Sequence, residues 1–394
     1  MNSNQWKKYK LEEVAEVIGG GTPSTTDPDF WGEEIPWITP RDLASTDERF
    51  ISRGERCITK KGLQNSSARL LPAGTVLLTT RAPIGYLRIA LNPICTNQGF
   101  KSLIPKANIT DNRFLFYLLK NNIEYLKSVG VGTTFAEISG SALRQIEFPF
   151  PPLPTQRRIA DILSALDDKI ELNRQTNATL EAIAQAIFKE WFVNFNFPGA
   201  TGEMAESELG MIPKRWRVGK LEEIITNYDR KRVPLSSRER ENRKGIFPYY
   251  GAASILDYVD DYLFDGVYLL MGEDGTVFTE DGKPVLQYVS GKFWVNNHTH
   301  VLQGKNLFTT EYVLLQLKNT NVKHIVTGAV QPKINQGNMN ELPVVIPDEF
   351  TLISFQNTVT PIFSNILDTE QETSMLSGIR DNLLPKLMNG KIQV

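Results

Sequence analysis

Apolar residues recur at alternating steps of three and four along two long stretches of the chain, residues 159–191 and 359–387. This heptad spacing keeps one stripe of a helix facing a partner helix, so each stretch is predicted to form a coiled-coil helix. The first helix would be about 50 Å long at 1.5 Å per residue, too long to be covered by one compact domain. The first seam consists of Leu163, Leu166, Ile170, Asn173, Asn177, Leu180, Ala184, Ile187 and Trp191, and the second of Val359, Ile362, Ile366, Thr369, Thr373, Leu376, Leu383 and Leu387.

The two seams also match in their polar positions. At an offset of 196 positions, Asn173 and Asn177 correspond to Thr369 and Thr373. Polar residues weaken a coiled coil but fix its register. Two unrelated amphipathic helices would not share this pattern, so the sequence favours a pair of helices that contact each other.

The rest of the chain repeats as well. The string WKKYKLEEV at residue 6 recurs as WRVGKLEEI at 216, FLFYLLKN at 114 as YVLLQLKN at 312, and GTTFAEI at 132 as GAVQPKI at 328. A globular domain followed by a long helix is therefore used twice. If a rotation relates the two copies, the helices run antiparallel, with a globular domain at each end of a shared rod.

The predicted fold class is α+β, with two mixed α/β domains separated by a long antiparallel two-helix coiled coil in a pseudo-two-fold internal repeat. Short apolar runs at 35–39, 75–80 and 87–91 read as strands, and 113–121 reads as a buried helix. The segment FPFPPLP at 148–154 is interpreted as a stiff hinge, and the Gly- and Pro-containing stretch after Trp191 as a surface linker. The predicted divisions are residues 1–152, 153–195, 196–347 and 348–394.

Composition narrows the class of protein without fixing its function. Hydrophobic residues make up 41% and charged residues 22% of 394 positions, as in soluble globular proteins. No apolar run is long enough to span a bilayer, and the N-terminus lacks a signal-peptide core, so a cytoplasmic protein is expected. Cys57 and Cys95 are expected to be reduced thiols. A net charge of −2 argues mildly against a free-standing DNA-binding protein, although not against a subunit that shares its DNA contacts with partners.

The sequence contains no recognisable catalytic or cofactor motif. GVGTTF at 130 lacks the third glycine of a dinucleotide-binding loop, and no phosphate-binding loop ends in Lys-Ser or Lys-Thr. The spacing of His298 and His300 would place both on one face of a strand, and a metal site with His324 is conceivable. Hydrogen-bonding roles at a strand end are the preferred interpretation, so neither a catalytic nor a metal site is expected.

Both globular domains carry polar and basic residues on predicted loops. Arg, Asn and Gln suit base edges, whereas Lys and backbone amides suit phosphates. A basic run is usually a solvated face, but two such domains held by a rigid rod favour reading two separated DNA sites. The DNA-binding candidates are Thr25, Thr39, Arg41, Arg81, Asn97, Gln98, Lys101 and Thr133 in the first copy, and Arg230, Lys231, Arg232, Tyr250, Asn297, His298, Gln331 and Lys333 in the second.

Nearly the whole chain resembles the specificity (S) subunit of type I restriction-modification systems. The resemblance rests on PLPTQRRIADIL before the first heptads, LEAIAQAIFKEWF, SELGMIPKRWRVGKLEE, GGGTPST with WITPRDL, LPAGTVLLTTRAPIG with TNQGF, and PYYGAASILDYVDDYLFDG with GEDG. It implies that each globular domain is a target-recognition domain and that the helices are the central and C-terminal conserved regions.

The resemblance further implies a non-catalytic subunit that recognises a bipartite sequence in double-stranded DNA. Two methyltransferase (M) subunits, which bind S-adenosylmethionine and methylate adenine, would dock on it. Restriction (R) subunits that use ATP and magnesium would join them, while this chain itself would bind no cofactor. Three alternatives stay open: a specificity polypeptide of a fused restriction-methylation enzyme, a coiled-coil scaffold that does not touch DNA, and, least favoured, a metal hydrolase.

Overall fold

A computed structural model describes residues 6–44, 48–81, 83–131, 136–328 and 330–394, in two compact units. Unit 1 comprises Met1–Arg174 and Glu372–Val394, and unit 2 comprises Gln175–Gln371. Two helices of 40 residues each contribute one segment to each unit. The four-part division made from the sequence stays a prediction. None of the helices in the described ranges is both long and apolar enough to cross a bilayer.

Unit 1 is a mixed α/β structure whose described strands form three sheets. Its strands are β1 (Lys7–Lys10), β2 (Ala15–Gly19), β3 (Trp31–Gly32), β4 (Ile35–Ile38), β5 (Phe50–Ile51), β6 (Arg56–Ile58), β7 (Val76–Leu78), β8 (Leu87–Ala90), β9 (Cys95–Thr96), β10 (Lys101–Pro105) and β11 (Glu147–Phe150). Its helices are α1 (Leu11–Val14), α2 (Pro40–Ala44), α3 (Lys60–Gln64), α4 (Asn112–Asn121), α5 (Ile123–Val129), α6 (Gly140–Gln145) and the first part of α7 (Leu153–Phe192), with a 3-10 turn at Pro28–Phe30. The sheet orders are β2-β10-β7-β8-β5, β3-β6-β4-β9 and β1-β11.

Unit 2 repeats this arrangement. Its strands are β12 (Met204–Ser207), β13 (Gly210–Pro213), β14 (Arg217–Lys220), β15 (Ile225–Asn227), β16 (Lys244–Tyr250), β17 (Ile255–Val259), β18 (Phe264–Asp265), β19 (Tyr268–Gly272), β20 (Leu286–Val289), β21 (Lys292–Val295), β22 (Thr299–Gly304) and β23 (Pro343–Ile346). Its helices are α8 (Ser237–Asn242), α9 (Thr310–Lys318), α10 (Gln336–Asn340) and part of α11 (Glu349–Met388), with 3-10 turns at Leu221–Glu223, Asp229–Lys231 and Lys323–Ile325. The sheet orders are β15-β22-β19-β20, β17-β16-β21-β18, β14-β23 and β12-β13.

The internal repeat predicted from the sequence is confirmed by the strand pairing. The antiparallel order β2-β10-β7-β8 corresponds to β15-β22-β19-β20, and β1-β11 corresponds to β14-β23. A parallel pair also recurs, because β4 lies beside β9 as β16 lies beside β21. Each unit therefore builds the same framework from different side chains.

The core of each unit forms where a short helix packs on the main sheet. Asp111 caps α4 by accepting hydrogen bonds from the amides of Arg113 and Phe114, at 3.0 and 3.1 Å. All six residues from 114 to 119 are buried, so this helix is surrounded by protein. Thr309 caps the equivalent α9 in unit 2. Cys57 and Cys95 are buried and free.

Within unit 1, α7 and α11 contact each other in antiparallel directions. Leu163 shares the core with Leu387, and further along α7 the Nδ2 of Asn173 donates to Glu372 Oε2 at 2.8 Å and to Thr373 Oγ1 at 3.2 Å. Partner numbers thus fall as α7 residue numbers rise. A polar seam position makes specific hydrogen bonds here, which is how such residues fix register.

The same antiparallel pairing occurs within unit 2. The Nδ2 of Asn177 donates to the carbonyl of Ile366 at 3.2 Å, and the ring of Phe188 lies 5.8 Å from that of Phe355. Every seam position predicted from the sequence is buried or half-buried. The seam is wider than the heptads indicated, because Phe188, Phe192 and Phe355 are also buried. The predicted antiparallel helix pair is confirmed within each unit.

The two segments that the sequence predicted to be a hinge and a linker contain β-strands instead. The predicted hinge at 148–154 was wrong: Phe148 and Phe150 lie in β11, which pairs with β1 in the register Lys7↔Phe150. Only two prolines separate this strand from α7. The predicted linker contains the β12–β13 hairpin, and Phe197 stacks on Trp216 with ring centroids 4.9 Å apart.

Candidate nucleic-acid interface

Equivalent backbone bonds hold the same loop framework in the two units. In unit 1 the amide of Ile138 donates to the carbonyl of Thr80 at 2.9 Å. In unit 2 the amide of Ile334 donates to the carbonyl of Glu273, also at 2.9 Å. These bonds define which positions of the two loops correspond, independently of side-chain chemistry.

The pair of residues beside each of these bonds has opposite charges in the two units. Arg81 forms an isolated antiparallel bridge with Glu137, and Asp274 forms the corresponding bridge with Lys333. Arg81 and Asp274 are therefore equivalent, as are Glu137 and Lys333. The same backbone arrangement presents a different charge pattern in each unit.

A second shared feature is a turn that presents one exposed amide side chain. The amide of Asn97 bonds across to β4 at 3.0 Å, and its Oδ1 accepts the amide two residues on at 3.0 Å. Asn296 makes the equivalent bonds, to β16 at 3.0 Å and to the amide two residues on at 2.9 Å. Asn97 therefore builds the turn, and the exposed side chains at its tip are Gln98 and Asn297.

Two tryptophans that sequence reasoning did not single out hold the first polar loop of unit 1. Trp37 Nε1 donates to the carbonyl of Gly21 and Trp31 Nε1 to that of Ser24, each at 2.9 Å. The indole rings meet edge to face at 5.1 Å, and the Arg56 guanidinium lies 3.5 Å from the Trp31 centroid. A β-carbon on Gly21 would meet backbone at 2.4 Å, so this close approach requires glycine.

The remaining unit 1 candidates divide into exposed and engaged side chains. Thr39 is engaged, since its amide and Oγ1 donate to Asp42 at 2.7 and 2.6 Å. Lys101 has a side chain only 17% exposed, 3.7 Å from a Glu137 carboxylate oxygen. Thr133 lies outside the described residues. The exposed candidates are Thr25, Arg41, Arg81 and Gln98, the last of which accepts a hydrogen bond from Thr22.

In unit 2 the three consecutive basic candidates have different environments. Arg230 and Lys231 are exposed. Arg232 is 14% exposed, and its Nη1 donates to Glu273 Oε2 at 2.6 Å and to the carbonyl of Thr299 at 2.8 Å. Its guanidinium is therefore held inside the protein, where it fixes the positions of neighbouring strand ends.

Arg232 belongs to a buried ionic cluster centred on His300. The fully buried imidazole places Nδ1 2.6 Å from Asp229 Oδ2 and Nε2 2.8 Å from the carbonyl of Ile334. Both imidazole nitrogens therefore lie at hydrogen-bond distance from acceptor oxygens, one of a carboxylate and one of a backbone carbonyl. Burial would raise the pKa of Asp229, but hydrogen bonds from His300, a neighbouring amide side chain and a backbone amide lower it overall.

The same cluster contains the one group of three described residues spaced to hold a metal. Ligand atoms of Asp229, Glu273 and His300 lie within 4.8 Å of one another. Arg232 contacts both carboxylates, at 3.6 and 2.6 Å, and both imidazole nitrogens are engaged. The arrangement is that of internally neutralised ion pairs.

The histidines do not share one strand face as the sequence suggested. Strand β22 begins at Thr299, so His298 precedes it and is exposed, with Nδ1 3.3 Å from Asp274 Oδ2. His300 lies within the strand and is buried. His324 is exposed in a 3-10 turn. That expectation was wrong because an asparagine-based turn, rather than a strand, precedes Thr299.

The remaining unit 2 candidates lie at or near the surface. Tyr250 is half-buried, with its ring edge-to-face against Phe293 at 5.6 Å, and burial raises the pKa of its hydroxyl. Asn297 and Gln331 are exposed, and Lys333 is 43% exposed. The structure thus separates candidates that can reach a ligand from Arg232 and Asn97, which organise the loops.

The chain matches known proteins over nearly its whole length. A sequence model of the type I restriction modification DNA specificity domain matches residues 3–182 and 213–372. The MjaIX type I restriction enzyme specificity subunit of Methanocaldococcus jannaschii is 36% identical, over 99% of this chain and 94% of its own. The HindI specificity subunit of Haemophilus influenzae is 24% identical, over 99% of this chain and 100% of its own.

A solved structure has the same fold. The S subunit of a type I restriction-modification system from M. genitalium aligns with a TM-score of 0.61 at 17% identity, covering 98% of this chain and 97% of that one. The two family-model matches correspond to the two structural repeats. The chain therefore belongs to the family of type I restriction-modification specificity subunits, and the resemblance found in its sequence motifs is confirmed.

Proposed function

We propose that this chain reads a bipartite target in double-stranded DNA, with one half-site recognised by each α/β domain. Two methyltransferase subunits dock on its long helices, and restriction subunits join them in the full complex. The methyltransferase subunits carry out methylation with S-adenosylmethionine, and the restriction subunits carry out cleavage with ATP and magnesium. The proposed location is the cytoplasm.

The observation that carries this proposal is one loop framework with reversed side-chain charge. Arg81 and Glu137 in unit 1 correspond to Asp274 and Lys333 in unit 2, because the same backbone bridges hold both pairs. Charge and hydrogen-bonding differences at equivalent positions alter which bases a surface accepts. Two half-sites of unlike sequence are therefore expected.

The near-neutral charge of the chain fits a shared DNA interface. A net charge of −2 gives little general attraction for phosphates. Exposed cations such as Arg41, Arg81, Arg230 and Lys231 supply local contacts, and partner subunits add the rest. Tight binding to DNA is expected only for the complex.

Methylation mapping tests the function directly. The chain is expressed with its methyltransferase partner in cells lacking other adenine methylation, and modified adenines are mapped by long-read sequencing. One motif with two specified halves and an unspecified gap is expected. Replacing exposed Arg81 with Ala should relax or weaken one half and leave the other unchanged.

Binding to random duplex provides an independent test. Affinity of the purified complex should fall steeply with salt, because phosphate contacts release counterions. A flat salt dependence together with no methylated motif would refute DNA recognition and support the scaffold alternative. A contiguous motif would refute the assignment of one half-site to each domain.

A further inference from the structure

A loop of unit 2 is closed by Thr327 and Lys333, and the structure describes its residues 327–328 and 330–333. Thr327 and Lys333 exchange two backbone hydrogen bonds of 2.8 Å each. Gly328 has a φ of +86°, and a β-carbon there would meet the carbonyl oxygen of Gln331 at 2.2 Å. Position 328 therefore requires glycine, and the paired backbone bonds hold Thr327 and Lys333 together.

The base of the loop is fixed to the body of the domain. Lys333 Nζ lies 3.2 Å from Asp274 and 3.3 Å from Glu273, and the amide of Gly275 donates to the carbonyl of Pro332 at 3.0 Å. The next residue, Ile334, is fully buried in the core. Residues Pro332 to Ile334 are thus held in place by the body of the domain, which lowers the cost of ordering this part of the loop on binding.

The tip carries an apolar side chain beside a side-chain amide. Val330 is 99% exposed, and Gln331 is exposed next to it. A single exposed valine is ordinary on a protein surface and contributes nothing to folding. The two groups together match the major-groove edge of A·T pairs, since an amide binds adenine N6 and N7 and an apolar group contacts the thymine methyl.

The surroundings of the tip suit a phosphate-lined groove. Asp274, which anchors Lys333, also holds exposed His298 at 3.3 Å, and the exposed amide of Asn297 is its neighbour. Lys333 keeps 43% of its side chain exposed despite its two carboxylate partners. Hydrogen-bond donors thus lie beside the base of the loop, where the carboxylates of Glu273 and Asp274 are paired with Lys333.

We propose that Val330 and Gln331 read A·T pairs in the half-site of the second domain, with Val330 contacting a thymine methyl and Gln331 binding an adenine edge. This assignment rests on the proposed function. Lys333 acts as a positioning residue that holds the loop at Asp274 and Glu273. The corresponding loop of unit 1 is closed by Val131 and Glu137 through two 3.1 Å bonds, and its inner residues 132–135 lie outside the described part of the chain.

The two corresponding loops differ in sequence, as expected if the two domains recognise different bases. The second loop contains GAVQPK where the first contains GTTFAE. The framework bonds are common to both, so exchange of tip residues changes the groups offered to DNA without changing the anchor. Each tip is expected to affect one half-site alone.

The first test maps the methylated motif for V330A and Q331A complexes beside the wild type. Gln331→Ala should relax one A·T position in one half, with discrimination there reduced roughly 5- to 150-fold. Val330→Ala should weaken a preference for thymine in that same half. Leu307→Ala is the matched control, since Leu307 is an exposed apolar loop residue of the same unit, 48% exposed, and should leave the motif unchanged.

The second test removes the thymine methyl instead of the valine. Duplexes carrying the mapped motif have each thymine of that half replaced in turn by deoxyuridine. One replacement should weaken wild-type binding roughly fourfold, as expected for one lost methyl contact, and should have no effect on the V330A complex. A proportional effect on both complexes would overturn the valine assignment.

The outcomes separate this inference from the proposed function. A wild-type complex that methylates no bipartite motif contradicts the proposed function itself. A normal wild-type motif that both tip variants reproduce, or that they relax in both halves, overturns the loop assignment alone. Circular dichroism and partner co-purification establish that each variant is folded and assembled.

Discussion

Asp167 lies at the centre of a buried polar network in unit 1 that joins α7 to α4 and α11. Tyr117 Oη donates to its Oδ2 at 2.6 Å and Arg380 Nη1 to its Oδ1 at 2.8 Å. The side chains of Asp167 and Arg380 are only 12% and 17% exposed. Arg49 also donates to the Tyr117 hydroxyl, at 3.0 Å. Burial, and then the Asp167 charge, raise the pKa of Tyr117 well above its usual value, so the hydroxyl stays a donor.

Replacing Asp167 with Ala should destabilise unit 1 by about 3 kcal/mol. Loss of one partner from a buried ion pair costs about 3–5 kcal/mol, because the other charge is left uncompensated. The lower end applies since Arg380 keeps Asp381 at 2.8 Å. Asp167→Asn should cost about 1–2 kcal/mol, because the amide retains the shape and part of the hydrogen bonding.

Hydrogen–deuterium exchange of α4 provides the measurement. A chain with two units need not unfold in one step, so a single melting temperature would not isolate unit 1. Where α4 amides exchange through unfolding of unit 1, a loss of about 3 kcal/mol accelerates them roughly 150-fold. The wild type and the variant are compared at the same pH, peptide by peptide.

The matched control breaks an exposed ion pair on the same long helix. Lys169 Nζ lies 3.0 Å from Glu372 Oε2 in unit 1, with side chains 45% and 46% exposed. Lys169→Ala should change local stability by less than about 1 kcal/mol, since water and salt screen such pairs. Exchange of α4 in D167A within about twofold of the wild type, or equal acceleration in K169A, would contradict this prediction.

Further predictions concern the seam, the ionic cluster and the length of the coil. Asn173→Leu should raise the free energy of unfolding by about 1–2 kcal/mol, seen as a higher denaturant midpoint, while the two helices lose a contact that fixes their register. A lower midpoint contradicts this prediction. Although burial acts to raise the pKa of Asp229, hydrogen bonds from His300 and other donors lower it overall. Asp229 therefore stabilises unit 2 above about pH 4, and this stabilisation is lost as the pH falls through the pKa of the folded state. The free energy of unfolding of unit 2 should depend less steeply on acidic pH in D229N than in the wild type. Deleting Asn173–Thr179 and Ile366–Glu372 together shortens each helix by about 10 Å. The methylated motif should then have a gap about three base pairs shorter, with the sequences of both half-sites unchanged. Altered half-site sequences would indicate that the helices read bases.

The elements predicted correctly were those whose signal lies within one helix or strand. The heptads of α7 and α11 could be read because each seam is periodic along a continuous segment. The strand at Ile35–Ile38 and the helix at Asn112–Asn121 were equally visible as bounded apolar runs. The matching polar seam positions also predicted correctly that the helices pair.

The errors involved partners far apart in the sequence. The proline-rich segment after Glu147 is a strand because it pairs with residues near the N-terminus, at Lys7–Lys10, which no local pattern reveals. The DNA-binding roles predicted for Arg232 and Asn97 stay predictions, but the sequence did not show the partners of either side chain. Arg232 donates to Glu273 at 2.6 Å, and Asn97 Oδ1 accepts the amide of Gly99 at 3.0 Å and closes a turn. A basic or amide side chain can be assigned to DNA contact only when its hydrogen-bond partners within the protein are known.

The repeat explains how the two domains can diverge in recognition while keeping one fold. The bridges at Arg81–Glu137 and Asp274–Lys333 are made by backbone atoms, and so they tolerate reversal of both side-chain charges. The ionic contacts beside the bridges differ as well: Arg232 donates to Glu273 at 2.6 Å in unit 2, whereas Lys101 lies 3.7 Å from Glu137 in unit 1. The sheets and the buried side chains that contact the loop bases stabilise each domain, so the exposed residues of the loops can change without loss of the fold. Substitutions at exposed tip positions should therefore change what is bound at far smaller cost to folding than substitutions in the supporting network.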